Sequence, residues 1–299
     1  MAEPFIKRLC LIGVGLIGGS LARALREAGA VGEIVGCARH QESLDTALEL
    51  GVIDRAESDP AEAVRGADMV VLAVPVGETV AVLDRIHDRL ADDAILTDVG
   101  STKGSVVEAA QRVFGGLPAR FVPAHPIAGT EQSGVGASFA ELFRGRRVIL
   151  TPDENTDAAA LATVRRMWEA CGAQVVETSV AHHDAVLAAT SHLPHMLAYV
   201  LVDSLARLDD REEVFEFAAG GFRDFTRIAS SNPAMWHDIC LANRGELLRI
   251  TERFIDDLER LAQAIRKGDS TYLRETFERA KQARDQWCET HHNDAGACE

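Results

Sequence analysis

The sequence predicts an α/β protein whose first part is a doubly wound, largely parallel sheet and whose second part is all-helical. A glycine-rich turn stands between the first apolar run and the first helical stretch. Apolar runs then alternate with helix-period stretches, the pattern of a doubly wound sheet. From about Ser179 onward the pattern is helical only. We therefore place a domain boundary there, between residues 1–179 and residues 180–299.

The first part contains apolar runs typical of buried strands. The predicted strands are Leu9–Ile12, Glu33–Ala38, Asp68–Pro75, Ala94–Val99, Arg120–His125, Arg147–Leu150 and Gln174–Glu177. The predicted helices between them are Leu16–Ala28, Gln41–Leu50, Val76–Leu90, Lys103–Val113 and Ala158–Cys171. Runs that are apolar throughout suit a parallel sheet covered on both faces.

Three long helices are predicted in the second part. The first is Val180–Leu208, with a kink expected at Pro194. The second is capped by Asn232 and runs to Lys267, and its length of about 34 residues would span roughly 50 Å. We expect it to pack against a second subunit; the alternative is a broken helix in a monomeric bundle. The last helix runs from Ser270 to about Glu289.

Composition argues against several classes of protein. The net charge of -15 disfavours general nucleic-acid or anionic-membrane binding, but an anionic substrate needs only local positive charge. The six cysteines form no C-x-x-C and no zinc-like spacing, which indicates a reducing compartment. The amino terminus resembles neither a signal peptide nor a membrane span. We expect a cytoplasmic protein, with a loosely held polar tail through Glu299.

Gly13, Gly15 and Gly18 form the pattern G-x-G-x-x-G between the first strand and the first helix. Gly13 can turn the backbone sharply, Gly15 leaves room for a pyrophosphate, and Gly18 lets the helix pack closely. Free N–H groups at the start of the helix, where Leu16 and Ile17 stand, would face the phosphates. This context predicts a Rossmann-type dinucleotide-binding domain. The alternative is a glycine turn without a ligand.

The residues after the second strand bear on which nucleotide is used. NAD-binding folds place an acidic residue there, about 20 residues beyond the glycines. Here Ala38 takes that place and Arg39 follows. A missing carboxylate removes repulsion of a 2′-phosphate, and an arginine can pair with one. This favours NADP; the alternative is that Arg39 stacks on adenine and NAD is used.

Two polar loops follow the fourth and fifth strands, Asp98–Gly104 and His125–Gly134. Ligands of open parallel sheets bind outside the carboxyl ends of the strands. His125 is the strongest catalytic candidate, because an imidazole titrates near neutral pH and could accept a proton from a substrate hydroxyl. Ser101 could contact the same hydroxyl, and we also assign it to the cofactor-binding residues; the alternative is that it caps the following helix. Lys103 could bind an anion or be solvated.

The helical part supplies further candidates. His192 and His195 share a helix face, but a metal site needs more ligands, so we predict that His195 contacts the substrate and that no metal is bound. Arg227 is the best anchor for a substrate carboxylate, with Asp224 placed to orient it. The alternative is a solvated Arg–Asp pair, which would contribute little.

These motifs together resemble the prephenate/arogenate dehydrogenase family of tyrosine biosynthesis. The resemblance extends from Gly13 to about Trp287 and is carried by five stretches in order. They are Gly13–Ser20, Asp98–Lys103, His125–Gly134, Ser191–His195 and Phe222–Trp236. The family resemblance implies NAD(P)-dependent oxidative decarboxylation of prephenate to 4-hydroxyphenylpyruvate, or of arogenate to tyrosine.

The same resemblance implies roles for individual residues. His125 would polarise the ring hydroxyl and Ser101 would help to place it. Arg227 would hold the ring carboxylate, and His195 would contact the substrate. Glu131 would lie at the gate of the site and, like its neighbour Thr130, would contact the substrate. The resemblance further implies a dimer through the helical part, and tyrosine, if it inhibits, is expected to act at the active site.

Two other functions fit parts of the pattern. A β-hydroxyacid dehydrogenase would be expected to use a lysine on the first helix of the second part, and Val180–Leu208 contains none. A non-catalytic protein that senses NAD(P) would need the glycines but neither His125 nor Arg227. Assays with prephenate and arogenate separate these possibilities.

Overall fold

The structure, a computed structural model, describes residues 3–290, so the predicted loose tail beyond them lies outside the described residues. Strands and helices alternate in the first part as expected. The strands are β1 (Ile6–Ile12), β2 (Val31–Cys37), β3 (Arg55–Glu57), β4 (Met69–Leu72), β5 (Ile95–Asp98), β6 (Phe121–Val122), β7 (Ala124–Pro126), β8 (Arg147–Leu150) and β9 (Gln174–Glu177). The helices are α1 (Leu16–Glu27), α2 (Gln41–Glu49), α3 (Pro60–Ala63), α4 (Thr79–Ile86), α5 (Gly104–Phe114) and α6 (Ala158–Ala170).

The main sheet has six parallel strands in the order β3-β2-β1-β4-β5-β6. This is the Rossmann order. The chain builds the sheet outward from β1 to β3 and then returns to place β4 on the other side of β1. Apolar side chains cover both faces, as the uninterrupted run of β4 predicted, and they form two buried clusters on opposite sides. The doubly wound fold class is confirmed.

The predicted strand Arg120–His125 is wrong as a single element. Phe121 and Val122 end the main sheet, whereas Ala124–Pro126 belongs to a second sheet of order β7-β8-β9. Pro123 separates the two strands because it has no N–H to donate to a ladder. His125 therefore lies in the middle of β7, opposite Ile149 of the antiparallel β8, and not at the end of a main-sheet strand.

The second part is helical, with α7 (Val180–Leu187), α8 (Leu193–Ala206), α9 (Arg211–Glu216), α10 (Gly220–Thr226), α11 (Pro233–Ala242), α12 (Arg244–Lys267) and α13 (Ser270–Thr290). A π-helical turn, Ala188–His192, joins α7 to α8. The predicted kink thus takes the form of a widened turn just before Pro194, whose ring and missing N–H disturb the preceding turn.

By length and composition alone, one helical run in residues 3–290, Val180–Ala206, could cross a membrane. The same run carries the buried polar side chains of His183, Asp184 and His192. Two of these bond to residues of the nucleotide-binding part, His183 to His125 and Asp184 to the backbone of Lys103. These bonds tie the first half of the run to the nucleotide-binding part of the same chain.

The predicted continuous helix to Lys267 is wrong, because it breaks at Asn243 between α11 and α12. Asn243 is buried, and its side-chain amide donates to the carbonyl of Asp184 at 2.8 Å. The chain divides after Arg244 into two compact units. In the second unit, α12 leaves apolar side chains exposed, among them Leu248 and Ile265. The boundary after residue 179 stays a prediction.

Candidate active site

The glycine turn after β1 has the geometry that a dinucleotide requires. Gly13 has φ +103°, and a Cβ there would lie 2.3 Å from the carbonyl oxygen of Ala73. A Cβ at Gly18 would lie 2.2 Å from the carbonyl oxygen of Gly13, whereas Gly15 faces open space. No side chain caps α1, so its first N–H groups remain available to an anion. These residues fit a nicotinamide dinucleotide.

Arg39 follows β2 on the exposed rim of this turn. Its guanidinium lies 2.8 Å from the carboxylate of Glu78, which closes the short turn after β4. Arg39 is thus available to a nucleotide but is already paired with an acid that the sequence did not single out.

A buried ion pair fixes the loop that follows β5. Lys103, predicted to be anion-binding or solvated, is neither: it is fully buried and paired with Asp98. Its ammonium also donates to the carbonyl of Ala124 at 2.6 Å, while Asp98 accepts from the N–H of Ala124 at 3.1 Å. Both backbone groups of Ala124 are therefore held by the β5 loop, which ties the segment carrying Ser101 to the strand carrying His125.

The cap of α5 comes from a distant residue. Asp184 accepts the N–H groups of Lys103 and Gly104, each at 2.8 Å. The alternative role of Ser101 as the cap is therefore wrong, since the start of α5 is closed by a carboxylate from α7. A carboxylate at a helix N-terminus is also favoured by the helix dipole.

Three side chains form a chain of hydrogen bonds that ends at His125. Nδ1 of His125 lies 2.9 Å from Nε2 of His183, and Nδ1 of His183 lies 2.7 Å from Oδ1 of Asp184. An ionised carboxylate only accepts, so His183 carries its proton on Nδ1 and presents a lone pair on Nε2. His125 must then donate through Nδ1. The lone pair of His125 is left on Nε2, in the state of a general base.

The charges around this chain keep it in that protonation state. Burial, with the neighbouring His183 and Lys103, lowers the pKa of His125 well below its usual value of 6.5. Burial alone would raise the pKa of Asp184, but the hydrogen bonds from His183 and from the α5 backbone outweigh it and lower that pKa. At neutral pH the site therefore holds a neutral imidazole and an ionised carboxylate. His125 remains 8% exposed.

His192 lies deeper in the same site. The amide of Asn243 stands 3.2 Å from Nδ1 of His192, which leaves the proton of His192 on Nε2. Nε2 of His192 and Nε1 of Trp236 are both buried, without a hydrogen-bond partner among the described residues. Each is a donor left for a ligand oxygen or a water. No group of three or more potential metal ligands is present in residues 3–290.

We expect the stability of the protein to fall when His192 becomes protonated. Burial lowers the pKa of His192 to about 4, whereas in the unfolded chain it titrates near 6.5. The unfolded state therefore binds more protons between these values, so stability is full above pH 6.5 and declines toward pH 4. This group alone should lower the free energy of unfolding by about 2 kcal/mol between pH 7 and pH 5, measured by urea denaturation. The variant His192→Gln should show a correspondingly smaller decline; an equal decline would contradict the assignment.

The predicted substrate contacts converge around α8 and α10. His195 stacks on Trp236 with ring centroids 3.8 Å apart, and Nδ1 of His195 donates to the carbonyl of Ser191. Burial lowers the pKa of His195, and the nearby charge of Arg227 lowers it further. Arg227 follows α10 and lies 4.0 Å from Glu131. Glu131 and Thr130 are neighbours on the exposed loop after β7.

The predicted pair between Arg227 and Asp224 is wrong. Asp224 lies beside Arg223 at 3.6 Å, with both side chains exposed, and Arg227 faces Glu131. Asp224 is spaced one helical turn from Arg227, but Arg227 faces Glu131, which the loop after β7 places beside it. Arg227 is 66% exposed and therefore accessible to an anionic ligand.

Sequence reasoning missed His183, Asp184 and Asn243. His183 is 58 residues from His125, a distance that no local spacing reveals. Two signals were present: a His-Asp dipeptide in the first helix after the boundary, and an asparagine in the middle of the predicted helix that ends at Lys267. Both mark polar groups that need partners when a helix is buried.

The chain is similar over most of its length to known dehydrogenases. Family models described as "Prephenate dehydrogenase, nucleotide-binding domain" and "Prephenate dehydrogenase, dimerization domain" match residues 21–177 and 179–279. The cyclohexadienyl dehydrogenase of Zymomonas mobilis is 42% identical, over 93% of this chain and 95% of the relative. The prephenate dehydrogenase of Bacillus subtilis is 38% identical, over 93% of this chain and 75% of the relative.

A crystal structure of prephenate dehydrogenase from A. aeolicus, in complex with hydroxyphenyl propionate and NAD+, has the same fold. Its TM-score is 0.88 at 37% identity, and the match covers 95% of this chain and 99% of that one. The two family models together span most of the chain, in the order in which its sheet and helical parts occur. The chain belongs to the prephenate dehydrogenase family.

Proposed function

We propose that this protein is an NAD(P)-dependent dehydrogenase that oxidatively decarboxylates prephenate, arogenate or both in tyrosine biosynthesis. The observation that carries the proposal is the Asp184–His183–His125 chain, which leaves a lone pair on Nε2 of His125. The family, and the names of relatives that use these substrates, support the choice of reaction.

The residues can perform the proton part of this reaction. A nicotinamide dinucleotide held at the glycine turn would supply the hydride acceptor for the ring carbon that carries the hydroxyl. Nε2 of His125 accepts the hydrogen bond of that hydroxyl and polarises it as the hydride leaves. Loss of CO2 then makes the ring aromatic, and the hydroxyl keeps its proton in the phenol product. Partial transfer of the hydroxyl proton to Nε2 gives His125 positive charge only in the transition state, and Asp184 stabilises that charge through His183.

The other predicted residues position the substrate. Ser101 would place the hydroxyl, and the Asp98–Lys103 pair sets the position of its loop against β7. Arg227 would bind the ring carboxylate with its guanidinium, His195 would contact the substrate, and Glu131 and Thr130 would lie at the entrance. Alignment of the donor carbon with the nicotinamide is the main requirement of such a reaction.

Replacing Arg227 with alanine should chiefly weaken substrate binding. A charged hydrogen bond to a carboxylate contributes about 1.5–3 kcal/mol, so KM should rise roughly 10–100-fold. The effect is smaller than for a fully buried pair because the side chain is exposed. Steady-state kinetics measure it, and Arg223→Ala on the same helix is the matched control. Unchanged KM and kcat in Arg227→Ala would place this arginine away from the substrate.

Arg39 and the missing carboxylate at Ala38 favour NADP over NAD. Arg39 lies on the rim of the glycine turn, where a 2′-phosphate could pair with it. The coarser assignment, a nicotinamide dinucleotide, is supported by the family's nucleotide-binding domain.

A homodimer formed through the helical part is the assembly we propose. The match to a dimerization domain supports it, as do the exposed apolar side chains of α12. Tyrosine, which is the product from arogenate and an analogue of the product from prephenate, would compete at the active site. A cytoplasmic location stays a prediction from the sequence.

A four-way assay tests the function. Purified protein is mixed with prephenate or arogenate, each with NAD+ or NADP+, and formation of the reduced nucleotide is followed by absorbance. Turnover with at least one pair is expected. No turnover with any pair would overturn the proposal.

A further inference from the structure

The pair between Arg39 and Glu78 spans the end of the central strand of the nucleotide site. Arg39 follows β2 and Glu78 follows β4, and these strands flank β1, which carries the glycine turn. The guanidinium and the carboxylate meet at 2.8 Å. Both remain accessible, since the side chains are 70% and 40% exposed. A nucleotide bound at the glycine turn would therefore lie beside both charges.

The position of Glu78 is set by packed backbone. Its N–H donates to the carbonyl of Pro75 at 2.9 Å, which closes the turn after β4. The preceding Gly77 lies against α11, where a Cβ would come within 2.7 Å of the carboxylate of Asp238. Glu78 thus presents its charge from a fixed point, although its side chain is on the surface.

The carboxylate of Glu78 interacts differently with NADP, which carries a 2′-phosphate, and with NAD, which carries a hydroxyl there. A 2′-phosphate that reaches Arg39 must either share the guanidinium with the carboxylate of Glu78 or displace it, and sharing brings like charges together. A ribose hydroxyl carries no charge and can donate to a carboxylate, as it does to the acidic residue of NAD-binding folds. The segment Ala38-Arg39-His40-Gln41 after β2 supplies no such acid.

We propose that Glu78 is a specificity-determining residue that opposes the 2′-phosphate of NADP and thereby limits the preference that Arg39 confers. In NAD-binding folds an acidic residue at the end of the second strand favours the ribose hydroxyl over a 2′-phosphate. Glu78 takes this role from the turn after β4. The inference rests on the proposed use of a nicotinamide dinucleotide and deepens it, because it names the group that sets the ratio of the two nucleotides.

Calorimetric titration of the full chain without substrate tests the proposal. The ligands are NADP+, NAD+, adenosine 2′,5′-bisphosphate and AMP. In Glu78→Gln, the two ligands with a 2′-phosphate should bind about tenfold more tightly, whereas NAD+ and AMP should bind equally or more weakly. The gain should shrink at high salt, because the repulsion is between exposed charges. Glu62→Gln, which removes another surface acid paired with an arginine, should leave all four affinities unchanged.

An unchanged ratio of NADP+ to NAD+ affinity in Glu78→Gln would overturn the inference, whether both affinities stay the same or both tighten equally. The titration needs no turnover. A protein that shows the expected shift but oxidises neither prephenate nor arogenate would contradict the proposed reaction and leave the role of Glu78 standing. A protein that turns over but shows no shift would contradict the role of Glu78 alone.

Discussion

Replacing His125 with asparagine should lower kcat by about 10²–10⁴-fold, the contribution typical of a positioned general base. Asparagine is close in size to histidine and keeps polar atoms in the pocket, but it presents no lone pair that can accept a proton near neutral pH. The glycine turn does not involve His125, so the affinity for the nucleotide should be unchanged. Steady-state kinetics and nucleotide titration of the same preparation measure the two effects.

His182 provides the matched control for this variant. It is an exposed histidine that precedes His183 on α7, and His182→Asn should retain normal turnover. Near-normal turnover of His125→Asn would refute the assignment of the base. An equal loss in both variants would show that disturbance of α7 is enough to explain the effect.

Replacing Asp184 with asparagine should also lower kcat by about 10²–10⁴-fold, because it changes the tautomers of both histidines. If the new amide donates to Nδ1 of His183, then Nε2 of His183 carries a proton and donates to His125. His125 must then hold its own proton on Nε2, where the base is needed. If the amide turns the other way, it faces the N–H of Gly104 and leaves that donor unpaired.

The loss of the cap makes a separate measurement necessary. Asp184→Asn should lower the free energy of unfolding by about 0.5–2 kcal/mol, as the loss of a helix cap does. Turnover is therefore measured below the melting transition, with Asp203→Asn on the exposed face of α8 as the control. Retention of kcat together with the loss of stability would assign Asp184 a purely structural role.

The fold was predictable because its signals are local. The glycine turn, the apolar run of β4 and the change to helices near Ser179 each lie within a short window of sequence. Lys103 was not predictable in this way, since a lysine after Ser101 and Thr102 looks solvated. Its burial depends on Asp98 from β5 and on a carbonyl of β7.

The site was predictable only in part for the same reason. His125 and Arg227 stand out by residue type and position, and the family resemblance gave them roles. Their actual partners, His183 and Glu131, come from other elements. The run Arg120–His125 predicts one strand of the main sheet, whereas Pro123 divides it between two sheets and leaves His125 in the second. Partner choice is a property of the assembled fold.

Asp184 makes catalytic competence conditional on correct assembly. One carboxylate closes the start of α5 and also ends the imidazole chain, so a molecule in which α7 has come away from α5 has no oriented base. Such a partly undocked molecule would not catalyse the reaction, even with substrate bound. In a chimaera that joins this sheet part to the helical part of a relative, the base His125 comes from one protein. The residues at positions 183 and 184, which set its tautomer, come from the other. Residues 103, 104, 125, 183 and 184 would have to be transplanted as one unit.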